Sequence, residues 1–275
     1  MLNENFLTLL QDQDIISYPN EPMKNHTTFH IGGNADCFCE VKTVEALKKI
    51  TSLCKQNNIP CFIIGLGSNL LVSDNGFKGI VIKLGGTFTE MSIEDNKISC
   101  GAGASLASAC VLARKNSLSG LEFAWGIPGS VGGAAYMNAG AYDGEMKDVI
   151  SEVTFMDKDG NIKTCQKDKL DFSYRHSVFT DTENIILSVT FTLRPEQQII
   201  INDRMQELMD KREIRISVKS ACSVPNTPSR AVFAVSRDRK NALSSFRVSL
   251  SHLTTEEEVG EFLKALREII ETNAK

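Results

Sequence analysis

Apolar residues along the chain follow two different spacings, which divide it into helical and strand-like segments of ordinary length. Spacing of three and four residues predicts helices over residues 3–17, 43–57, 104–117 and 197–211. Continuous or alternating apolar runs predict strands over residues 26–41, 61–64, 79–84, 97–101, 149–156, 161–165 and 184–193. Because the helix at 43–57 lies between two strands, it predicts a β-α-β unit within a mixed α+β fold.

Two local signals refine this pattern. Thr43 has the side chain of a helix N-cap, and Glu45 follows it in the first turn, where an acidic residue is favourable. The sequence Asp157-Lys158-Asp159-Gly160 separates two strand-like runs and is typical of a hairpin turn. We therefore predict a helix that begins at Thr43 and a hairpin over residues 149–165.

The chain is organised around a glycine-rich segment, residues 120–143. Its glycines are residues 120, 126, 129, 132, 133 and 140. The same segment holds the chain's only tryptophan, Trp125, and the pair Met137-Asn138, so its composition is not that of a flexible linker. Backbone N–H groups in such loops can surround a phosphate. The segment therefore predicts a phosphate cradle for a nucleotide, with a tight packing corner that binds no ligand as the alternative.

A second glycine loop, Gly65 to Asn69, follows the buried strand predicted at 61–64. It does not complete the dinucleotide fingerprint G-x-G-x-x-G, because Leu70 occupies the third glycine position. Two phosphate-type loops at this separation fit one extended ligand that carries a pyrophosphate. We interpret them as the two halves of a dinucleotide site outside a Rossmann fold.

Composition limits the possible partners. The 275 residues are enough for two domains, and 42% hydrophobic residues are enough for ordinary cores. A net charge of −4 gives no basic surface for nucleic acid, and no apolar run reaches the ~18 residues of a membrane span. The N-terminus lacks the basic region of a signal peptide, and the eight cysteines include no C-x-x-C pair. We expect a cytoplasmic protein with reduced cysteines, without nucleic acid, membrane or metal partners.

Four segments carry a resemblance to a known family: residues 25–36, 63–82, 126–142 and 172–179. Together they resemble the UDP-N-acetylenolpyruvoylglucosamine reductases, over about residues 20–212. The resemblance implies an FAD-binding domain of the vanillyl-alcohol-oxidase type. It also implies that NADPH reduces the flavin and that hydride then reaches the enolpyruvyl group of a UDP-sugar, giving UDP-N-acetylmuramate for peptidoglycan synthesis. The oligomeric state is left open.

The same resemblance implies which residues contact the FAD pyrophosphate and ring. They are Gly65, Leu66, Gly67, Ser68, Asn69, Leu70, Ile127, Pro128, Gly129, Ser130, Gly132, Gly133 and Ala134, with Asn138 and Gly140 close by.

Arg175 is the candidate catalytic residue, with Tyr174 as a further candidate. Hydride addition to an enolpyruvyl ether places negative charge on the carbon next to the carboxylate. An arginine that binds this carboxylate stabilises the enolate-like transition state. In the family a Tyr-Arg-x-Ser segment supplies it, and here the segment is residues 174–177. The alternative is an ordinary surface arginine.

Pattern and resemblance together predict the following domains: an N-terminal helix (1–20), an FAD-binding domain (21–195) with subdomains at 21–85 and 86–195, a connecting helix (196–212) and a small α/β C-terminal domain (213–275). The last of these departs from the family. The family's proton-donating serine lies in a Gly-Ser-Val-Phe segment, and this sequence is absent after residue 195. The proton donor is therefore unassigned.

Residues 213–275 instead resemble the C-terminal end of cysteine desulfurases, and the change falls near Arg212-Glu213. Ser220-Ala221-Cys222-Ser223 is similar to the loop that bears their sulfur-accepting cysteine. The large domain with the lysine that binds pyridoxal phosphate is missing, so we expect no such cofactor. Cys222 is either a reactive thiol or an inert cysteine.

Two functions of different class follow. The first is FAD-dependent, NADPH-using reduction of UDP-N-acetylenolpyruvoylglucosamine. The alternative is an FAD-binding protein without full reductase activity, because the substrate domain and the proton donor are replaced. A sulfur-handling module that acts through Cys222 is a third hypothesis.

Overall fold

The structure, a computed structural model, describes residue 2 and residues 4–213. Its helices are α1 (Glu4–Leu9), α2 (Val44–Gln56), α3 (Leu106–Lys115), α4 (Val131–Tyr136), α5 (Met146–Val149) and α6 (Gln198–Glu213). Its strands are β1 (Ile15–Pro22), β2 (Asn34–Val41), β3 (Cys61–Ile64), β4 (Phe77–Leu84), β5 (Met91–Glu94), β6 (Lys97–Gly101), β7 (Leu118–Ser119), β8 (Gly140–Ala141), β9 (Gly144–Glu145), β10 (Ile150–Met156), β11 (Ile162–Gln166), β12 (Ile185–Thr192) and β13 (Arg194–Pro195). The α+β class predicted from the sequence is confirmed. The predictions for 214–275, including Cys222, lie outside the described residues.

Two sheets form the framework. The first has the order β1-β2-β4-β3, in which β2, β4 and β3 run parallel and β1 pairs antiparallel with β2. The second is antiparallel, with the order β11-β10-β12-β6-β5. The predicted helix at 43–57 is α2, and the Thr43 hydroxyl accepts a hydrogen bond from the N–H of Ala46 at 3.3 Å, as expected of an N-cap.

The two central strands of the first sheet, β2 and β4, are largely buried on both faces. Ile80 and Ile82 of β4 join the large core, which also holds Leu47 and Ile50 of α2. Val81 points to the other face and packs in a second, smaller cluster that includes Phe38 and Met23. This explains why the sequence of β4 reads as a continuous apolar run rather than an alternating one.

The N-terminal helix predicted over 1–20 is wrong. The helix is confined to α1, and the chain then forms β1, which pairs with β2 from Ile15↔Val41 to Pro22↔Asn34. The helical spacing of its apolar residues was misleading, because residues 15–22, which include Pro19 and Pro22, pair with β2 as a strand. Both are tolerated in β1 because it is an edge strand.

The strand predicted over 26–41 begins only at Asn34. His30 and Gly32 have φ values of 52° and 128°, which interrupt an extended strand. Residues 26–33 instead form an irregular segment, and the His26 ring stacks on Phe38 with 3.7 Å between the ring centroids. Within residues 4–213, no helix is long and apolar enough to cross a membrane.

Candidate functional site

The two glycine loops meet in the structure. The Ser68 hydroxyl donates a hydrogen bond to the carbonyl of Pro128 at 2.9 Å. A few residues away, Gly65 lies so close to Ser130 that a Cβ on Gly65 would collide with the Ser130 hydroxyl. The sequence predicted that both loops serve one ligand, and the chain places them side by side.

Residues 26–33 pack against the first loop and fix its conformation. Gly67 has a φ of 66°, in the left-handed region, and a Cβ there would collide with the carbonyl oxygen of His26. The N–H of Thr28 donates to the Gly67 carbonyl at 3.1 Å. Gly67 is therefore required both by the turn and by this close approach.

The second loop is fixed on both sides of Ser130. The Gly129 carbonyl accepts from the N–H of Leu106 at 3.0 Å, and the N–H of Val131 donates to the Ala104 carbonyl at 2.8 Å. Ser130 then caps α4, because its hydroxyl accepts from the N–H of Gly133 at 3.2 Å. The sequence predicted a glycine loop here, and the structure shows that the residues after Ser130 form the short helix α4.

Main-chain donors remain available where the loops meet. Among the residues that the structure describes, the N–H groups of Ser68, Asn69, Gly129 and Ser130 donate no hydrogen bond to another group of the chain. Main-chain donors grouped in glycine-rich loops are suited to bind an anion such as a pyrophosphate. The glycines keep side-chain atoms out of the same place, so the cradle fits a group of this kind.

The Tyr-Arg segment forms a tight turn. Ser173 and His176 exchange two main-chain hydrogen bonds, each 3.2 Å, and close a turn around Tyr174 and Arg175. Arg175 has a φ of 56°, which is unusual for a residue with a long side chain. Its guanidinium donates to the carbonyl of Gly140 at 3.2 Å and lies 5.6 Å from the centre of the Tyr174 ring.

Asn138 connects this turn to the glycine segment. Its side chain, which is 1% exposed, donates to the Ser173 carbonyl at 2.9 Å and to a Glu145 carboxylate oxygen at 3.1 Å. Its side-chain oxygen accepts from the N–H of Lys147 at 2.9 Å. Asn138 was predicted to lie close to the cofactor, and the structure places its side-chain amide in contacts within the protein.

A carboxylate lies beside the arginine. The ammonium of Lys147 is 2.6 Å from the Glu145 carboxylate and holds the pKa of that carboxyl below its usual value, with smaller contributions from the Asn138 amide and the Arg175 charge. Since Lys147 neutralises Glu145, the Arg175 charge remains available to an anionic ligand.

Sequence reasoning missed Glu145 and Lys147. Neither belongs to a motif of known spacing, and only the folded chain places them against Asn138. Ser177 had been singled out only as part of the Tyr-Arg-x-Ser segment. It is fully buried, and its hydroxyl donates to the Tyr136 carbonyl at 2.7 Å.

Comparison with known proteins agrees with this geometry. The family described as FAD binding domain matches residues 35–166. The UDP-N-acetylenolpyruvoylglucosamine reductase of Agathobacter rectalis is 46% identical over 218 residues, which are 75% of this chain and 67% of that protein. The chain belongs to the UDP-N-acetylenolpyruvoylglucosamine reductase family. The predicted FAD-binding domain of the vanillyl-alcohol-oxidase type is thereby confirmed.

Two further reductases of the family are similar to this chain. That of Syntrophomonas wolfei is 45% identical over 193 residues, which are 70% of this chain and 64% of that protein. The chain thus matches about two thirds of the length of these sequence relatives. The solved structure of the reductase from Thermus caldophilus is 29% identical, with a TM-score of 0.65, and the match covers 92% of this chain and 94% of that one.

Proposed function

We propose that this chain binds FAD and uses NADPH to reduce the enolpyruvyl group of UDP-N-acetylenolpyruvoylglucosamine to UDP-N-acetylmuramate, a step of peptidoglycan synthesis. One observation carries the proposal: the glycine segment 126–142 contacts the first glycine loop at Pro128 and the Arg175 turn at Gly140. A cofactor cradle and a carboxylate-binding cation are thus built on the same segment. A cytoplasmic location is part of the proposal.

The cradle supports FAD in particular. The N–H groups of Ser68, Asn69, Gly129 and Ser130 would hold the pyrophosphate, and the other residues of 65–70 and 127–134 would line it. Bound there, the flavin supplies hydride chemistry between NADPH and the substrate double bond. The protein contributes the binding, the orientation and the electrostatics.

Arg175 would bind the carboxylate of the enolpyruvyl group. A bidentate contact fixes the orientation of the double bond, and it strengthens as negative charge develops on the carbon beside the carboxylate. Tyr174, half exposed on the same turn, stacks near the guanidinium and limits its movement. Their contribution is therefore to orient the substrate and to stabilise the charge that forms.

A specific observation favours a second candidate. The serine segment that provides the proton in this family is absent after residue 195. If no other group protonates the carbon, the chain is an FAD-binding protein in which NADPH still reduces the flavin. Loss of a general acid costs ~10²–10⁴-fold in rate, so the two candidates differ by an easily measured factor.

Anaerobic flavin spectroscopy on the purified full chain separates them. NADPH is added first, and loss of the flavin absorbance reports reduction; UDP-N-acetylenolpyruvoylglucosamine is added second, and return of the absorbance reports its turnover. The proposal predicts both changes. Bleaching without recovery would support the second candidate, and purified protein that binds no flavin would contradict both.

A further inference from the structure

Hydrogen bonds at Ser173 and Arg175 attach the turn that carries Arg175 to the rest of the protein. Tyr174 is half exposed, and the Arg175 guanidinium donates to the Gly140 carbonyl. A residue with a φ of 56° stays in that conformation only when its surroundings enforce it. The contacts at Ser173 are therefore decisive for where Arg175 lies.

Asn138 supplies one of these contacts, a 2.9 Å hydrogen bond to the Ser173 carbonyl. It is buried in the segment that follows α4, and its amide donates to the Ser173 carbonyl, at the first position of the turn. The same amide donates to Glu145, and the N–H of Lys147 fixes its oxygen. All polar groups of this side chain are therefore engaged, so its orientation is determined.

Glu145 completes the arrangement from β9. Its main-chain N–H donates a 2.8 Å hydrogen bond to the Asp148 carboxylate. Its backbone pairs with Gly140, whose carbonyl accepts a hydrogen bond from the Arg175 guanidinium. Glu145 thus contacts both groups that hold the turn: Asn138 through its carboxylate and Gly140 through the β8–β9 ladder.

We propose that Asn138 and Glu145 are positioning residues for Arg175. They hold the turn Ser173–His176 against the glycine segment, so that the guanidinium is in place before substrate binds. The inference deepens the proposed function and rests on it for the role of Arg175, although the positioning itself is independent of turnover. Asn138 then acts through Ser173 rather than through the cofactor.

Limited proteolysis of the full chain measures the positioning directly. Trypsin cleaves after Arg175 only when the turn opens, and mass spectrometry quantifies the peptide that ends there. Cleavage after the exposed Lys158, in the β10–β11 turn, is the internal reference. We expect Glu145→Ala to raise cleavage after Arg175 roughly tenfold, because the open form gains population as hydrogen bonds are lost. Glu145→Gln keeps an oxygen for Asn138, and we expect cleavage close to wild type.

Unchanged cleavage after Arg175 in Glu145→Ala would overturn the proposal. If cleavage at Lys158 rises as well, the variant has loosened globally, and Asn138→Asp then decides. This change keeps the volume and removes the donor to Ser173. If Asn138→Asp raises tryptic cleavage after Arg175 but not after Lys158, the positioning role is supported. If cleavage after Arg175 does not rise in this variant, the proposal is overturned.

A kinetic measurement on the FAD-loaded protein adds a second readout. Misplacing a catalytic group by about 1 Å costs ~10²-fold, so we expect Glu145→Ala to lower kcat/KM by about that factor with unchanged FAD content, and Glu145→Gln to restore most of it. A wild-type chain without turnover would contradict the proposed function and leave the proteolysis result standing. Turnover in the wild type with no loss in Glu145→Ala would contradict the positioning role alone.

Discussion

The hydroxyl of Ser68 donates a 2.9 Å hydrogen bond to the carbonyl of Pro128, 60 residues further along the chain. This contact joins a loop that follows β3 of the first sheet to a loop that precedes α4, which packs on β12 of the second sheet. The cradle is therefore formed by both halves of the framework, and its geometry depends on their contact.

Gly65→Ala should weaken FAD binding. The added Cβ collides with the Ser130 hydroxyl and pushes the two loops apart. Loss of one or two charge-assisted hydrogen bonds, at ~1.5–3 kcal/mol each, corresponds to ~10–100-fold or more in affinity. Titration of flavin-free protein, followed by flavin fluorescence, measures the change.

Gly160→Ala is the matched control for this change. Gly160 has a φ of 82° in the β10–β11 turn, and a Cβ there would meet no atom within 4 Å. Gly160→Ala should lower the free energy of unfolding by ~1–2 kcal/mol through backbone strain. Its FAD affinity should stay at the wild-type value. Equal FAD affinity in both variants would show that the two loops do not form one site.

Arg175→Gln should slow substrate reduction. A glutamine cannot provide the charge or the paired donors that hold the carboxylate, and removal of one such stabilising group typically lowers kcat by ~10²–10³-fold. FAD content and bleaching by NADPH should persist. Arg194→Gln, at an exposed arginine of β13, is the control, and stopped-flow recovery of flavin absorbance is the readout. Equal recovery rates in Arg175→Gln and Arg194→Gln would contradict a catalytic role for Arg175.

Cys61 should react as a thiolate near neutral pH. It is exposed at the start of β3, and the neighbouring Cys54 thiol lowers the pKa of Cys61 to about 7. Alkylation by iodoacetamide, quantified by peptide mass spectrometry, should be half-maximal near that pH. In Cys54→Ala the pKa should return toward ~8.5, which slows alkylation at pH 7 by roughly tenfold. Identical pH profiles of Cys61 alkylation in wild type and Cys54→Ala would show that Cys54 does not lower the pKa of Cys61.

Asp157 should stabilise the β10–β11 hairpin in a pH-dependent way. Lys163, at 2.7 Å, and the N–H groups of Asn161 and Asp159 hold the pKa of Asp157 below its usual range. A depressed folded-state pKa gives stability that is complete above the unfolded-state value and is lost as pH falls through the folded-state value. Asp157→Asn should therefore unfold at lower urea concentration than wild type from pH 5 to 8.

The difference in unfolding urea concentration between wild type and Asp157→Asn should shrink as the pH falls below about 4. At that pH Asp157 begins to be protonated in the unfolded state. Asp159→Asn is the control in the same turn, since Asp159 is largely exposed and its contact with Lys55 is a 3.6 Å surface pair. A constant difference down to pH 3 would contradict this origin of the stability.

Local sequence signals predicted the features that depend on neighbouring residues. The Thr43 cap, the strand at 61–64 and the hairpin around residues 157–160 follow from such signals, and the structure has them. The strand at 61–64 was predicted to be buried, which is wrong, because β3 is an edge strand with Cys61 and Phe62 exposed. The glycine loops could also be recognised, since their composition has few other uses. The edge strand β1 was missed because the apolar residues before it are spaced as in a helix and its pairing with β2 is a tertiary contact.

The site could be predicted only in part for the same reason. Arg175 was singled out as a candidate through its Tyr-Arg-x-Ser segment, and the loop residues through their glycines and the family resemblance. Glu145 and Lys147 carry no local signal, and the distance of 35 residues between Asn138 and Ser173 hides their contact from any pattern in the sequence. The predictions for residues 214–275 stay predictions.

If the two glycine loops form one pyrophosphate cradle, the protein must distinguish flavins with and without a pyrophosphate. Comparison of FAD with FMN, titrated against flavin-free full-length protein, tests it most directly, because both carry the same ring and only FAD has the pyrophosphate. We expect one FAD to bind per chain, and FMN to bind at least ~100-fold more weakly because it cannot make the main-chain contacts to the pyrophosphate. Equal affinity for both flavins, or binding of neither, would contradict it.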